Sequence, residues 1–408
     1  MAKIHKVLML VENVPAPQDL RVWPEAIALR DQGYQVSIIS PKGVTDQRES
    51  YTCIDKIYIY RYHLPAIEQK YLGHVVEYSV ALFMTFWLSL KVLFERGFDV
   101  LHTANPPDIF FILGLFYRLL GKKFIFDQHD LSPELFQVIF KKHTKLIYRV
   151  MRFFELCSYQ VATLVIVTNE SQKRCAIKRG HRRADRVFVV RNGPSAGRMK
   201  AVVPDPALKA GHPFLLGYVG IMGVQDGVEY ALYALHELVY KRGRRDVFLI
   251  LLGDGSHLPV LRALARELQL DEYINFTGLV PREEVVRYLS AIDVGLIPDP
   301  QNGLSEYSTL MKTMEYMALG KPIVAFDLAE TRFSAQEAAL YARPNLLEDF
   351  ADKIEMLLAD EELRAKLGQF GRHRIEKELS WEHTSKNLVC AYEALLPVGS
   401  KSLALSQS

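Results

Sequence analysis

Residues 306–325, EYSTLMKTMEYMALGKPIVA, carry a helix, its stop and a buried strand in one run. Ser308 or Thr309 is the expected helix cap, since a hydroxyl there accepts from the first free backbone N–H groups. Lys312 and Glu315 stand three apart, on one face of that helix. The helix ends at Gly320, and Pro322 leads directly into an apolar strand at Ile323–Phe326. A helix N-terminus with a capping hydroxyl and a lysine suits a diphosphate, and a glutamate one turn in suits the paired hydroxyls of a ribose. The plainer alternative is a surface helix with an i,i+3 ion pair.

Outward from this block the same unit repeats. Strands are expected at Phe214–Val219, Val247–Leu252, Ile274–Thr277 and Val294–Ile297, with helices at Val228–Arg242 and His257–Leu268. The first half alternates likewise: strands at Val7–Val11, Gln35–Ser40, Val100–Thr103, Lys123–Asp127, Leu164–Thr168 and Val187–Val190, with helices at Arg21–Asp31 and Ile109–Leu120. Short apolar strands separated by helices imply a parallel sheet covered on both faces. The stretch Gly193–Pro213 holds four prolines among its glycines and breaks the pattern. The expected organisation is a first α/β domain over 1–195, a linker over 196–213 and a second α/β domain over 214–380. A crossing helix over 381–397 returns to the first domain, and a polar tail over 398–408 is expected to be disordered.

The 408 residues suit two domains, each long enough for its own core. A net charge of +3 argues against a dedicated nucleic-acid binder. Cys53, Cys157, Cys175 and Cys390 are scattered, without a Cys-x-x-Cys pair or zinc spacing, and read as thiols of a reducing compartment. The apolar run at Val7–Val11 is too short for a signal peptide. Val75–Phe94 has the length of a membrane span but includes Glu77, Lys91 and several hydroxyls. It is expected to be a buried or half-buried helix, with a membrane-surface element and a true span as alternatives.

The second domain opens with a strand running into Gly220-Ile221-Met222-Gly223-Val224-Gln225-Asp226-Gly227 and then a helix. Glycines in such a turn let a ligand approach the backbone, although the spacing is not that of the dinucleotide fingerprint. A tight turn that needs glycine for its backbone angles is the alternative.

On these residues the chain resembles the family-4 retaining glycosyltransferases of the GT-B fold over nearly its whole length. The resemblance is carried by Asp19-Leu-Arg21-Val22, Glu25-Ala26, Gly33–Val36, Asp99–Pro107, Asp127–Asp130, Asn192-Gly193, Leu252–Gly255, Phe276–Gly278, Asp293–Pro298 and above all Glu315–Pro322. It implies two Rossmann-like domains facing across a cleft, with a nucleotide-diphosphate sugar held by the second and an acceptor by the first. It implies donor-binding roles for Gly220, Gly223, Gln225, Gly253, Tyr307, Ser308, Thr309, Lys312 and Glu315, the last on the ribose. It implies an acceptor-side position for Asp19, Arg21 and Asn105, and a catalytic position for His129, which matches the histidine near the donor sugar. His102 is expected to support its loop. The family's first glutamate would fall at Tyr307, with Glu306 one position early. Either Glu306 reaches the sugar as the catalytic carboxylate through a shifted loop, or backbone N–H groups from Tyr307 to Met311 hold it. The family's basic pair after the first glycine is replaced by Ile221 and Asp226, which leaves the phosphate charge to Lys312 and the helix N-terminus, or to an arginine elsewhere.

No carboxylate pair of the glycosidase kind is assignable, and no Asp-x-Asp is present to hold a divalent metal on a diphosphate. The implied enzyme therefore uses no metal and no cofactor beyond the nucleotide sugar itself. A sugar-nucleotide 2-epimerase and a non-catalytic sugar-nucleotide binder are the competing classes. The basic run Lys141, Lys142, Lys145, Arg149 and Arg152, interleaved with apolar residues, and a second run over 173–186 fit an anionic membrane surface as well as a solvated face. The expected setting is the cytoplasm, peripheral on the inner face of the cytoplasmic membrane, with a glycan or polyprenyl-linked acceptor, in cell-envelope polysaccharide synthesis.

Overall fold

Two sheets form from the alternating apolar runs in the computed structural model, which describes residues 5–43, 48–64, 71–140, 144–195, 197 and 199–395. Met1–Pro133, His143–Val190 and Ser385–Ser408 group into one compact unit, and Glu134–Lys142 and Arg191–Thr384 into the other. Residues 196 and 198 of the expected linker, Lys141 and Lys142 of the basic run, and the tail over 398–408 lie outside the described residues.

The first unit holds β1 (Lys6–Leu10), β2 (Gln35–Pro41), β3 (Tyr51–Ile54), β4 (Ile57–Tyr62), β5 (Val100–Ala104), β6 (Lys123–Gln128), β7 (Leu164–Val167) and β8 (Val187–Val189). Their order is β3-β4-β2-β1-β5-β6-β7-β8, parallel except for the edge hairpin β3–β4. Val7 sits between Val36 and Val100, so β1 is central and buried on both faces. Helices α1 (Val22–Asp31), α2 (Tyr71–Glu95), α3 (Phe111–Leu119), α4 (Ser132–Ile139), α5 (Thr144–Val161) and α6 (Glu170–Lys178) connect the strands. Leu8, Leu101, Phe124 and Val165 from the sheet share one core with Ala81 and Val92 of α2, Leu113 and Tyr117 of α3, and Tyr159 of α5. These three helices therefore cover the same sheet face.

The helix expected at Val75–Phe94 is half-buried, one face against the sheet and the other exposed. Along α2 the inward residues are Ala81, Thr85, Ser89 and Val92, all essentially fully buried, while Phe83, Trp87 and Phe94 are 68%, 64% and 85% exposed. Leu82, Met84, Phe86, Leu88 and Leu93 pack partly buried against the same core, while Phe83, Trp87 and Phe94 point away from it.

The second unit holds β9 (Phe214–Val219), β10 (Val247–Leu252), β11 (Ile274–Gly278), β12 (Val294–Ile297), β13 (Ile323–Phe326) and β14 (Ala339–Ala342), ordered β11-β10-β9-β12-β13-β14. Each neighbouring pair of strands in this sheet is parallel. Helices α7 (Val228–His236), α8 (Leu258–Glu267), α9 (Arg282–Ala291), α10 (Met311–Ala318), α11 (Ala329–Ala335), α12 (Leu347–Ala359) and α13 (Glu361–Arg374) follow in turn. The expected helix Val228–Arg242 ends as α-helix at His236 and continues as a π turn over Glu237–Lys241. Apolar clusters line both sheet faces, one with α7, α8 and α12, the other with α9 and α10.

The last helix, α14 (Trp381–Leu395), starts in the second unit, where the Trp381 N–H donates to the Pro194 carbonyl. From Ser385 it belongs to the first unit, where the Asn387 amide donates to the Val189 carbonyl at 3.0 Å.

In each sheet the chain reverses direction of travel at one place: between β1 and β5 in the first unit, and between β9 and β12 in the second. Open parallel sheets bind ligands at such points, beyond the carboxyl ends of the strands. The loops that leave β1, β5, β6, β9 and β12 carry most of the residues singled out by sequence.

Candidate functional site

In the second unit, β9 ends in Gly220, whose φ of 146° is closed to other residues without strain. The loop after β10 lies directly against it. The Gly220 N–H donates to the Leu252 carbonyl at 3.0 Å, and a Cβ on Gly253 would stand 2.0 Å from the Gly220 oxygen. Gly220 and Gly253 are thus fixed by a close backbone approach.

Lys312, on the first turn of α10, reaches back to the same place. Its Nζ is 2.8 Å from Asp299 Oδ2 and 3.4 Å from the Tyr218 hydroxyl, and it lies 4.6 Å from the centre of the Tyr218 ring. Lys312 and Asp299 are both buried. Burial disfavours the ammonium, yet the charges of Asp299, Tyr218 and Asp226 outweigh it and hold the Lys312 pKa well above its ordinary value. Burial pushes the Tyr218 phenol up as well. One turn further on, Glu315 is buried and pairs with Arg282 Nη1 at 2.9 Å. Burial raises its pKa against the opposing pull of Arg282. Lys312 and Glu315 therefore face separate partners and are not an ion pair with each other. Beneath them the Tyr316 hydroxyl donates toward the Gly217 and Leu296 carbonyls and accepts from the Val219 N–H at 3.1 Å, which pins α10 to β9 and β12.

The expected helix cap is corrected. Neither Ser308 nor Thr309 caps α10: Leu310 occupies the N-cap position without a side-chain bond. The Ser308 hydroxyl instead donates to the Leu304 carbonyl at 3.0 Å, closing the single 3-10 turn Ser305–Tyr307. Gln225 is turned inward, its amide donating to Asp226 Oδ2, which also accepts from the Gly223 N–H at 2.9 Å. Asp226 thus closes this loop on itself. Glu306 is held by the Gln301 amide at 2.5 Å, and Tyr307 and Thr309 are half-buried beside it.

In the first unit the buried carboxylate of Asp127, near the end of β6, organises the surroundings. Arg21 meets it with two bonds, 3.0 Å from Nε to Oδ2 and 2.6 Å from Nη2 to Oδ1, and also donates to the Val190 carbonyl. His129 Nε2 lies 2.7 Å from Asp127 Oδ2. Although burial opposes ionisation, Arg21 and His129 hold the Asp127 pKa well below the carboxylate range. An anionic Asp127 only accepts, so His129 donates to it through Nε2.

The loop that carries His129 is fixed by Asn105. Its Oδ1 accepts from the His129 N–H at 2.6 Å and the Asp130 N–H at 3.2 Å, while its amide donates to Asp108, Ser132 and the Asp130 carbonyl. Gln172 holds the His129 carbonyl from the other side. Asp19 accepts from the Arg21 and Val22 N–H groups, so its carboxylate serves as the N-terminal cap of α1. Arg21 itself is the residue before the helix rather than its first turn, and it is buried.

Glu25, His102 and Asp127 bring ligand atoms within 4.8 Å of one another, the one such group among the described residues. Arg21 supplies the positive charge there, 3.4 Å from Glu25 Oε1 as well as bonded to Asp127. Burial pushes Glu25 up, so of two adjacent carboxyls one is ionised and one tends to neutral. His102 Nδ1 meets the Tyr392 hydroxyl of α14 at 2.8 Å, and burial lowers its pKa. His102 thus ties α14 to the sheet.

Sequence reasoning missed Asp299, Tyr218 and Arg282 as partners of the lysine and glutamate. Arg282 directly follows Pro281 at a helix start, which is the one signal that marked it.

The description "Glycosyltransferase Family 4" matches residues 22–196, and "Glycosyl transferases group 1" matches residues 213–360, one on each α/β unit. Among relatives, a 2-deoxystreptamine glucosyltransferase of Streptomyces kanamyceticus is 27% identical over 189 residues, 45% of this chain and 46% of that protein. The chain spans about half the length of the curated relatives it matches. Sucrose-phosphate synthase from Thermosynechococcus elongatus superposes with a TM-score of 0.79 at 18% identity, over 97% of this chain and 100% of that one. An Anabaena protein in complex with UDP and glucose superposes with a TM-score of 0.70 at 14% identity, over 96% and 100%. The fold is shared across these structures, and the chain belongs to the family-4 glycosyltransferases of the GT-B fold.

Proposed function

We propose that the chain is a retaining, metal-independent glycosyltransferase that moves a sugar from a nucleotide-diphosphate donor to a glycan or lipid-linked acceptor in cell-envelope polysaccharide synthesis. The observation that carries this reading is the pair of buried, oppositely charged groups on one turn of α10, Lys312 and Glu315, beside Gly220 at the reversal point of the second sheet. Glu315 suits two ribose hydroxyls. Lys312 and the first N–H groups of α10 suit a diphosphate, whose charge grows as the sugar leaves. A lysine and a helix N-terminus can stabilise that charge without a divalent ion. A related fold solved with UDP-glucose supports a nucleoside-diphosphate sugar as donor.

His129, oriented by Asp127, takes the part of a hydrogen-bond partner to the transferred sugar through Nδ1, and Asn105 holds its loop in place. Glu306, released from Gln301, or the N–H groups from Tyr307 onward serve the transferred sugar from the second unit. Retention follows when the acceptor hydroxyl attacks from the face the diphosphate leaves.

The test is incubation with a panel of nucleotide sugars and envelope-lipid and glycan extracts, with the anomer of the product read by NMR. A product that keeps the donor's anomeric configuration, formed at an unchanged rate in excess chelator, is expected. An inverted product or abolition by chelator contradicts the mechanism. A donor epimer formed without acceptor identifies an epimerase.

A further inference from the structure

The first unit carries a broad apolar surface that nothing in the donor and acceptor reading uses. On α2, the outward residues Phe83, Trp87 and Phe94 are 68%, 64% and 85% exposed. On α3, the neighbour of α2 through the Phe86–Phe116 ring contact at 5.3 Å, Leu115 and Leu119 are exposed. On α5, reached from Phe111 at the start of α3 through its ring contact with Phe154, Leu146, Val150 and Phe153 are exposed. The three helices cover one sheet face, so these side chains belong to a single outer layer. Large apolar surfaces of this kind mark interaction sites.

Basic groups outnumber acidic ones in this layer, and its exposed acid Glu95, at the end of α2, stands 3.7 Å from the exposed Lys91. Arg118, Lys145 and Arg149 are exposed, and residues 111–126 contain no acidic side chain. The one acid of α5, Glu155, is buried and paired with Arg152. Basic groups flanking bulky apolar and aromatic ones complement the headgroups and upper acyl region of an anionic bilayer. The stretch Val75–Glu95 is long and apolar enough to cross a membrane by composition. Its small side is packed on the sheet instead, with Ser89 2.7 Å from the Tyr117 hydroxyl of α3, so it can lie on a membrane but not thread it. The second basic run, 173–186, has no exposed large apolar residue among the described ones and is a plain solvated face.

We infer that the outer faces of α2, α3 and α5 form a docking surface for an anionic lipid bilayer. Phe83, Trp87 and Phe94 enter the interfacial region, and Arg118, Lys145 and Arg149 contact the headgroups. The surface holds whether or not the chain is a transferase, because no residue of the donor or acceptor side takes part.

The test uses the full chain with vesicles of phosphatidylglycerol and phosphatidylcholine in equal parts, and of phosphatidylcholine alone. Of the three tryptophans Trp23 is buried and Trp381 half-buried, so the exposed Trp87 is a built-in probe. Co-sedimentation with the anionic vesicles, weakened by salt, and a blue shift of tryptophan emission that disappears in Trp87→Phe are expected. The double variants Phe83→Glu/Trp87→Glu and Lys145→Glu/Arg149→Glu alter exposed positions, keep the melting temperature and weaken binding at least about tenfold. Leu279→Glu, an exposed apolar residue of the second unit, leaves binding unchanged. The inference is overturned if the protein stays in the supernatant with both vesicles or binds them equally. It is also overturned if sedimentation velocity shows a dimer that Phe83→Glu/Trp87→Glu splits, since the surface then belongs to a second copy.

Discussion

Lys312 and Asp299 form a buried ion pair, 2.8 Å from Nζ to Oδ2, directly beside Gly220 at the reversal point of the second sheet. The lysine that suits a diphosphate is thus already neutralised when no phosphate is present. Asp299→Asn leaves a buried ammonium without its counter-charge, a change that costs about 3–5 kcal/mol. The variant should melt at lower temperature, and UDP or GDP should restore its melting temperature by more than it raises that of the parent. An equal ligand-induced shift in both proteins, read by scanning fluorimetry, means that Lys312 does not meet the phosphates.

His129 is oriented by Asp127 at 2.7 Å but remains half-buried, whereas Asp127 is fully buried with Arg21. The two residues should separate experimentally. His129→Ala should keep its melting temperature and nucleotide binding while losing transfer, about 100-fold or more, the scale of a lost positioned polar group in a transition state. Asp127→Asn should instead destabilise by about 3–5 kcal/mol, since it strands the Arg21 guanidinium. A His129→Ala protein that unfolds, or that turns over normally, contradicts the assignment.

Glu12, just beyond the end of β1, is buried near Glu77 and Tyr78 of α2 and Tyr62 of β4, and burial with the Glu77 charge pushes its pKa up to about 8. The folded protein therefore holds a proton that the unfolded chain releases near pH 4.5. Between those values the native state binds more protons, so this group's contribution to stability is present below pH 4.5 and is lost as pH rises to about 8. Each pKa unit is worth about 1.4 kcal/mol, so the loss amounts to a few kcal/mol. Glu12→Gln cannot ionise. Its stability relative to the parent, measured by urea denaturation, should rise across this window. A constant difference from pH 5 to pH 8 rules the buried acid out.

The α/β alternation was legible because parallel strands buried on both faces read as short apolar runs, and the run 306–325 shows helix, stop and strand in succession. The hairpin β3–β4 was not legible. Its two-residue turn is Asp55-Lys56, with φ of 51° and 64°, where the common signal would be a glycine. Along α2 the half-buried character was legible, but not which face meets the sheet, since hydrophobicity alone does not say so. Lys312, Glu315 and His129 were found because they lie in dense local motifs. Asp299 and Arg282, the partners of Lys312 and Glu315, were missed because pairing across 13 and 33 residues is a property of strand order, as is the pairing of Arg21 with Asp127 across 106 residues. The expected cap at Ser308 failed because a hydroxyl near a helix start can also close the preceding turn.

The central claim is that the turn of α10 bearing Lys312 and Glu315 binds a nucleoside diphosphate. It is tested most directly by calorimetric titration of UDP and of GDP into the parent chain and into Glu315→Ala, with the fold of each checked by its melting temperature. Glu315 pairs with the partly exposed Arg282, so its loss is tolerable to the fold. The account predicts that one of the two nucleotides binds the parent and that Glu315→Ala weakens it by about 1–3 kcal/mol, the scale of hydrogen bonds to a charged group. Equal affinity in the two folded proteins, or no binding of either nucleotide to the parent, would contradict it.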